Sequence, residues 1–591
     1  MAPAATPRYG ARMRTHHAIA SLFFALGATT ACGTTPAATT SQPSTIDADL
    51  TDVTVARLQE FYAANKYTVT DVVKWHLARI DRYNGVYGAI ETVLRDEALA
   101  EAAREDADAV KGGAAAHGAL WGVPIVVKAN TSVKGQVTTA GWEGFTRADH
   151  ELVAPENATV VTRFKAAGAI IVGIANMPDL ANSDTNRGTS FGRTGNAYDV
   201  RFSPGGSSGG IVTAIATNMA VLGNGTDTGN SIRMPAATSA LVGVFPTRGL
   251  TSIAGIAPLD WLLDNTGPIA RTASDAAIAL TVMAGADSLD AATMRAPDSV
   301  RRVSYQSLLA TGSLKGKRFG VPTFVLAGDG IPFHGIPYRV PAVVAESIRV
   351  SANMALRPDT RAMFMKAVDA LRAAGAEVVF DDSLLPAAFA RSASRVATYA
   401  YMKDGTDQFL SRFGPPEYHT SGAYLKAVGA PLYTSSIGTE DGFRAMGGVH
   451  FEQRVFATDP EADRMYVTPK RAMLAEYVAT LDRLRLDGLV YPAIQMPPVN
   501  ETMPQDGAVS SGPHSATSWV NMIGVPAVVV PAGFYGGGLP FGLEFSARPW
   551  GDAGLLAVAH AWEQATHLRK PPVLVETGLL PITPARAARR N

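Results

Sequence analysis

Two serines sit in glycine-rich surroundings 24 residues apart, Ser207 in Gly205-Gly-Ser-Ser-Gly-Gly210 and Ser231 in Gly225-Thr-Asp-Thr-Gly-Asn-Ser-Ile-Arg233. Glycine beside a serine tolerates backbone angles that other residues resist, and it lets several N–H groups converge on a small volume. Acyl transfer needs such a place: a serine to attack a carbonyl, and preorganised donors to meet the oxyanion as it develops. Phosphate binding also uses glycine, but as G-x-G-x-x-G after a strand or as G-x-x-x-x-G-K-[ST], and neither stretch has that form. Gly205-Gly-Ser-Ser-Gly209 does satisfy the G-x-S-x-G pattern of α/β-hydrolases. That arrangement wants a buried strand just before the serine, then an acid and a histidine downstream. Asp199-Val-Arg-Phe-Ser-Pro204 does not read as a strand, and His514 and His560 are expected to be ordinary partly buried or surface side chains. Asp227 and Arg233, flanking Ser231, are expected to pair structurally rather than to react.

The elements that must hold these segments can be traced by periodicity. Asp71 to Tyr83 carries apolar residues at Val72, Val73, Leu77 and Ile80, a helical period, with Thr70 as the expected N-cap. Arg95 to Lys111 reads as a second helix, ended at Gly112-Gly113. Val123 to Val127 is a short apolar run suited to a buried strand. Further helices are expected at Thr159–Ala167, Gly209–Thr217, Asp359–Ala374 and Leu555–Thr566. Strands are expected at Ile170–Ile174, Met219–Leu222, Arg318–Val321, Glu377–Phe380, Leu489–Tyr491 and Ala527–Val530. Strands alternating with helices argue an α/β class, one sheet covered by helices on both faces. Two stretches break the pattern, a Gly/Pro-rich one near 324–356 and an aromatic- and Met-rich one near 400–470. Both are expected to be irregular insertions, either substrate-facing walls or packed surface elaborations.

The ordered set of segments resembles the amidase signature family. Gly205–Gly210 followed by Gly225–Arg233 is similar to that family's core, and Gly122-Val-Pro-Ile-Val-Val-Lys128 to its lysine segment, with Thr139-Ala-Gly141 after it. Pro246-Thr-Arg-Gly249, Asp264-Asn-Thr-Gly-Pro268, Gly524–Gly533 and Gly538–Leu543 extend the resemblance, which runs from about Thr51 to Pro572. It implies a single large α/β domain with a mixed, twisted sheet, placed here at 47–575. It implies Ser231 as nucleophile, Ser207 as a bridging serine after a cis Gly206–Ser207 bond, and Lys128 as the base ending the relay. The backbone N–H groups of Thr228, Gly229, Asn230 and Ser231 would form the oxyanion hole. The chemistry is coherent, because a serine hydroxyl attacks only when a neighbour takes its proton. Lysine can take it only when neutral, and burial behind the apolar run Pro124–Val127 would lower its pKa. Two residues depart from the family pattern. Asn230 replaces a second glycine; it tolerates left-handed backbone, and its side chain would narrow the acyl pocket. Ala129 replaces an aspartate, which should make neutral Lys128 easier to reach.

The 52 basic and 52 acidic side chains cancel, so no overall field favours nucleic acid. His117, His334, His419 and His450 lack metal-ligand spacing, and neither metal nor cofactor is expected. Cys32 is the single cysteine, which excludes an internal disulfide. It follows Arg8, Arg12 and Arg14, an apolar run Ala18–Ala28, and the small residues Thr29-Thr30-Ala31. That order predicts a signal peptide over 1–31, with Cys32 as a lipid-bearing first residue, a linker over 32–46, and export to the cell envelope or beyond. A C-terminal tail is expected over 576–591. The expected activity is hydrolysis of a small-molecule or peptide amide, aryl or alkyl. The amidotransferase branch of the family, which feeds ammonia to a protein partner working on charged tRNA, fits export poorly. A non-catalytic exported binding protein on the same fold is the remaining alternative, and oligomeric state is not legible.

Overall fold

The computed structural model describes residues 45–112, 117–327, 356–385, 389, 398–428, 453–501, 513 and 515–577. The expected signal peptide, Cys32, most of the linker, the greater part of both insertions, His514 and all but the start of the C-terminal tail lie outside these residues. The chain divides into Met1–Asp49 and Leu50–Asn591. Of the first unit only the start of the helix Thr45–Leu50 is described; everything below concerns the second.

Short β-branched and aliphatic runs supply the strands, and they gather into one eleven-stranded sheet. In chain order the strands are β1 (Ile90–Val93), β2 (Val123–Lys128), β3 (Ala169–Ala175), β4 (Arg187–Gly188), β5 (Gly192–Arg193), β6 (Leu222–Asp227), β7 (Val242–Phe245), β8 (Asn265–Ala270), β9 (Arg318–Val321), β10 (Glu377–Phe380), β11 (Gly488–Pro492), β12 (Ala527–Phe534) and β13 (Pro540–Ser546). β4 and β5 pair only with each other; the rest run in the order β1-β3-β2-β6-β8-β7-β12-β13-β11-β9-β10. β2 is parallel to β3 and β6, and β9 to β10 and β11, while the other neighbours are antiparallel. The sheet is therefore mixed, as expected for the α/β class. Central strands are buried along their whole length, which is why β2 and β3 read as continuous apolar runs rather than alternating ones.

Strand direction decides where the chemistry gathers. β6 ends at Asp227 opposite Asn265 of β8. β7, antiparallel to β8, thus runs the same way as β6, and its end at Phe245 faces Ala527, the start of β12. The segments after β6, after β7, before β12 and after β13 therefore emerge at one edge of the sheet.

Several expected boundaries move. The helix expected from Asp71 runs Val69–Tyr87, and its N-cap is Thr68, whose side chain accepts from the Asp71 N–H while Asp71 accepts from the Thr68 N–H. That reciprocal box outcompetes Thr70 because it satisfies two orphan donors at once. The strand expected at Met219–Leu222 is β6, which starts where that run ends and continues through Gly-Asn-Gly-Thr-Asp. Its polar and glycine composition hid it, although all six residues are buried. The 400–470 stretch, expected to be irregular, is helical over Met402–Phe413 and Ser421–Val428 where it is described. Phe409, Phe413 and Tyr424 pack there against Trp142 and Phe145, so these aromatics build local core.

Candidate active site

Lys128 closes β2, and its backbone position in the middle of the sheet leaves its side chain 0% exposed. Nζ lies 2.7 Å from Ser207 Oγ, 3.0 Å from Ser208 Oγ, 2.8 Å from Thr226 Oγ1 and 3.2 Å from the Thr226 carbonyl. Burial pushes the lysine down to about 7, against the opposing pull of the Asp227 and Asp264 carboxylates. A neutral amine has two protons and one lone pair. The Thr226 carbonyl can only accept, and Ser208, which donates its own proton to that carbonyl at 3.3 Å, accepts from Nζ. Both Nζ protons thus have takers, and the lone pair is free to face the Ser207 hydroxyl.

Ser207 and Ser208 lie just before the helix Gly209–Ala216, and the Gly206–Ser207 peptide is cis. No strand precedes them: Ser203 to Gly206 is irregular, so the strand-before-serine arrangement of α/β-hydrolases is not present. The Ser208 N–H donates to the Ser231 carbonyl at 3.2 Å, which ties the two serine segments together. Ser231 is 5% exposed, in the turn between β6 and the helix Arg233–Thr238.

That turn is braced from beneath. Arg233, 0% exposed, pairs with Asp227 at 3.1 Å and Glu544 at 2.7 Å, and donates to Asn521 Oδ1, Thr517 Oγ1 and the Gly229 carbonyl at 2.5, 2.8 and 2.7 Å. The expected pairing of Asp227 with Arg233 is thus observed, inside a larger network. One guanidinium serves two carboxylates. Burial works to raise Asp227, but the Arg233 charge and its hydrogen bonds hold it below the usual range. Burial wins at Glu544, which is pushed up to about 7.

The network also aims backbone donors. In a trans peptide the C=O and the following N–H point opposite ways. Arg233 takes the Gly229 carbonyl, so the Asn230 N–H faces away from the network. Ile232 and Arg233 N–H groups are spent on the Asp227 carboxylate at 2.9 and 3.4 Å. The donors left for a ligand lie upstream, from Thr228 to Ser231. Thr228 itself is fixed by Oγ1 donating to Asp264 at 2.5 Å.

Both departures from the family pattern have visible settings. Asn230 is not among the positive-φ residues, so the left-handed tolerance invoked for it is not used; its Nδ2 instead donates to Asp184 at 3.3 Å. Ala129 is buried beside Lys128 with its N–H bonded to the Ala175 carbonyl. Sequence reasoning missed Ser208 and Thr226 as lysine partners, and Asn521, Thr517 and Glu544 beneath the turn. Ser208 stood beside a chosen residue. Asn521 was detectable as a lone amide inside Trp-Val-Asn-Met-Ile, and Glu544 as a lone charge in Phe-Gly-Leu-Glu-Phe.

The family model described as Amidase matches residues 71–330 and 342–556. The chain belongs to the amidase family. Among curated relatives of this amidase is the amidase-type component of glutamyl-tRNA(Gln) amidotransferase from Symbiobacterium thermophilum, 32% identical over 533 residues, covering 89% of this chain and 99% of that one. Among solved structures, native peptide amidase from Stenotrophomonas maltophilia superposes with a TM-score of 0.68 at 27% identity, covering 88% and 98% of the two chains. A bacterial aryl acylamidase of the amidase signature family shares the fold, with a TM-score of 0.64 at 23% identity over 87% and 96%. Amide hydrolysis is the chemistry these likenesses support.

Proposed function

We propose that this amidase hydrolyses a carboxylic amide to acid and amine through an acyl-enzyme on Ser231, with Ser207 and Lys128 relaying the proton. The observation that carries the reading is the 2.7 Å contact between Lys128 Nζ and Ser207 Oγ, on a lysine held down to about 7. Ser231 Oγ attacks the carbonyl carbon and passes its proton to Ser207 Oγ, whose own proton goes to Lys128 Nζ. The oxyanion takes hydrogen bonds from N–H groups of the Thr228–Ser231 turn. On collapse the C–N bond breaks, and the proton returns through Ser207 to the departing nitrogen. Water then repeats the sequence on the ester and frees the acid.

The substrate class proposed is a peptide amide or an aryl or alkyl amide, which the likeness to peptide amidase supports. The likeness to the glutamyl-tRNA(Gln) amidotransferase component favours a second reading, in which glutamine is the amide and a protein partner takes the ammonia. Export, proposed from Arg8–Ala31 with a lipid anchor on Cys32, separates the two, since charged tRNA is cytoplasmic. The test is turnover of p-nitroanilides, aryl amides, peptide amides and L-glutamine by wild type and Ser231→Ala. Hydrolysis of the first three classes that vanishes in the variant is expected. Turnover of glutamine alone would favour the second reading, and turnover that survives in Ser231→Ala would sink the mechanism.

A further inference from the structure

At the sheet edge where the catalytic turn emerges, a cleft of about 740 Å³ opens several strands away. Its floor comes from the segments that follow β7 (Thr247, Arg248), precede β12 (Ile523, Gly524) and follow β13 (Pro549, Trp550). The floor is locked. The Arg248 N–H donates to the Gly524 carbonyl at 3.1 Å, and the Trp550 N–H to Thr247 Oγ1 at 2.8 Å. One wall is Trp261 with Leu262, anchored by the Trp261 indole N–H on the Tyr401 carbonyl at 3.1 Å and by Tyr466 O–H on the Leu262 carbonyl at 2.9 Å. The mechanism uses none of these side chains.

The lining has a distinctive charge. In a chain of net charge zero it holds four cations, Arg248, Arg295, Lys470 and Arg471, against one acid, Asp290. Arg248 is already paired with Asp290 at 3.0 Å, and Lys470 donates to Tyr466 O–H at 2.8 Å. Arg295 and Arg471 are exposed and make no ion pair among the described residues. Beside them stand the aromatic faces of Trp261, Phe456 and Trp550, each half-buried. Met294 and Val455, next in sequence to lining residues Arg295 and Phe456, are exposed apolar side chains, which widens the apolar surface around the cleft. A concave, mostly apolar pocket with a few convergent charges of one sign is the form that small-molecule sites take. Guanidinium groups recognise carboxylates, and aromatic walls hold a ring.

We propose that this cleft is a binding site for an aromatic carboxylate, with Arg295 and Arg471 on the carboxylate and Trp261, Phe456 and Trp550 around the ring. The site lies apart from Ser231, yet it touches the catalytic turn through one loop. Trp261 and Leu262 belong to the stretch Leu259–Asp264, whose Leu259 and Asp260 N–H groups donate to the same Asp264 carboxylate that holds Thr228.

The test is isothermal titration of the full chain with 1-naphthoate and with uncharged 1-naphthalenemethanol, in wild type, Arg295→Gln, Arg471→Gln and Ser231→Ala. Both arginines are on the surface, so the two glutamine variants are expected to keep the wild-type circular dichroism. Saturable one-site binding of naphthoate is expected, weakened about tenfold in each glutamine variant and about tenfold for the alcohol, while Ser231→Ala binds as wild type does. Four outcomes overturn the proposal. They are no saturation by about 10 mM, equal binding by wild type and both glutamine variants, equal binding of the alcohol, or loss of binding in Ser231→Ala, which would place naphthoate in the catalytic site.

Discussion

Replacing Lys128 by Met should inactivate the enzyme and change how its stability depends on pH. The unfolded chain keeps a proton on Lys128 up to its ordinary value of 10.5, whereas the folded chain keeps it only up to about 7. Between those values the unfolded state binds more protons, so this lysine makes folding stability rise with pH. Each pH unit carries about 1.4 kcal/mol of that linkage. The cost of burying the lysine is therefore about 4 kcal/mol at pH 7, where it is half neutral when folded, and falls to about 2 kcal/mol at pH 9. Methionine fills a similar volume without a titrating group. The hydrogen bonds lost to Ser207, Ser208 and Thr226 lower the variant's stability by an amount that does not vary with pH. The wild-type minus variant stability difference should thus rise by about 2 kcal/mol between pH 7 and pH 9. Urea denaturation of both proteins across that range measures it. Parallel profiles would refute the reasoning, because they would mean that Lys128 titrates alike folded and unfolded.

Further expectations follow from the same geometry. kcat/KM for an amide should rise with pH to a plateau above about 7, as Lys128 loses its proton; a profile flat or falling from pH 6 to 8 would contradict a lysine base. Arg233→Met strands Asp227 and Glu544 without their cation and should destabilise the fold by about 3–5 kcal/mol in chemical denaturation; a loss below about 1 kcal/mol would mean the network is not structural. Asn230→Gly removes the side chain that reaches Asp184, and should raise kcat/KM for bulky over small acyl groups by about tenfold. An unchanged acyl preference would show that Asn230 does not border the acyl pocket.

What the sequence disclosed and what it hid have physical causes. β2 and β3 were legible because strands buried on both faces are apolar without interruption. β6 was not, since Gly-Asn-Gly-Thr-Asp satisfies its polar groups with partners such as Thr131 and Thr266 that lie far away in sequence. β8, Asn-Thr-Gly-Pro-Ile-Ala, was missed for a like reason: its composition suggests a turn, and only the neighbouring β6 and β7 make it a strand. The three triad positions were legible through the family resemblance and the glycines around them. The brace beneath them was not, because Arg233, Asn521 and Glu544 meet across some 300 residues of chain. Composition carries no signal for such an encounter. The aromatic stretch near 400–470 misled because aromatic side chains serve a core and a substrate wall equally well, and only packing tells Tyr424 from a pocket residue.

The central claim is a covalent acyl-enzyme on Ser231. Intact-protein and peptide mass spectrometry after rapid acid quench, with a slowly deacylating p-nitrophenyl ester as the acyl donor, tests it most directly. The account predicts one acyl group per chain, on the peptide that contains Ser231, and none in Ser231→Ala. An acyl group on Ser207 or Ser208, or steady turnover with no adduct at any quench time, would contradict it.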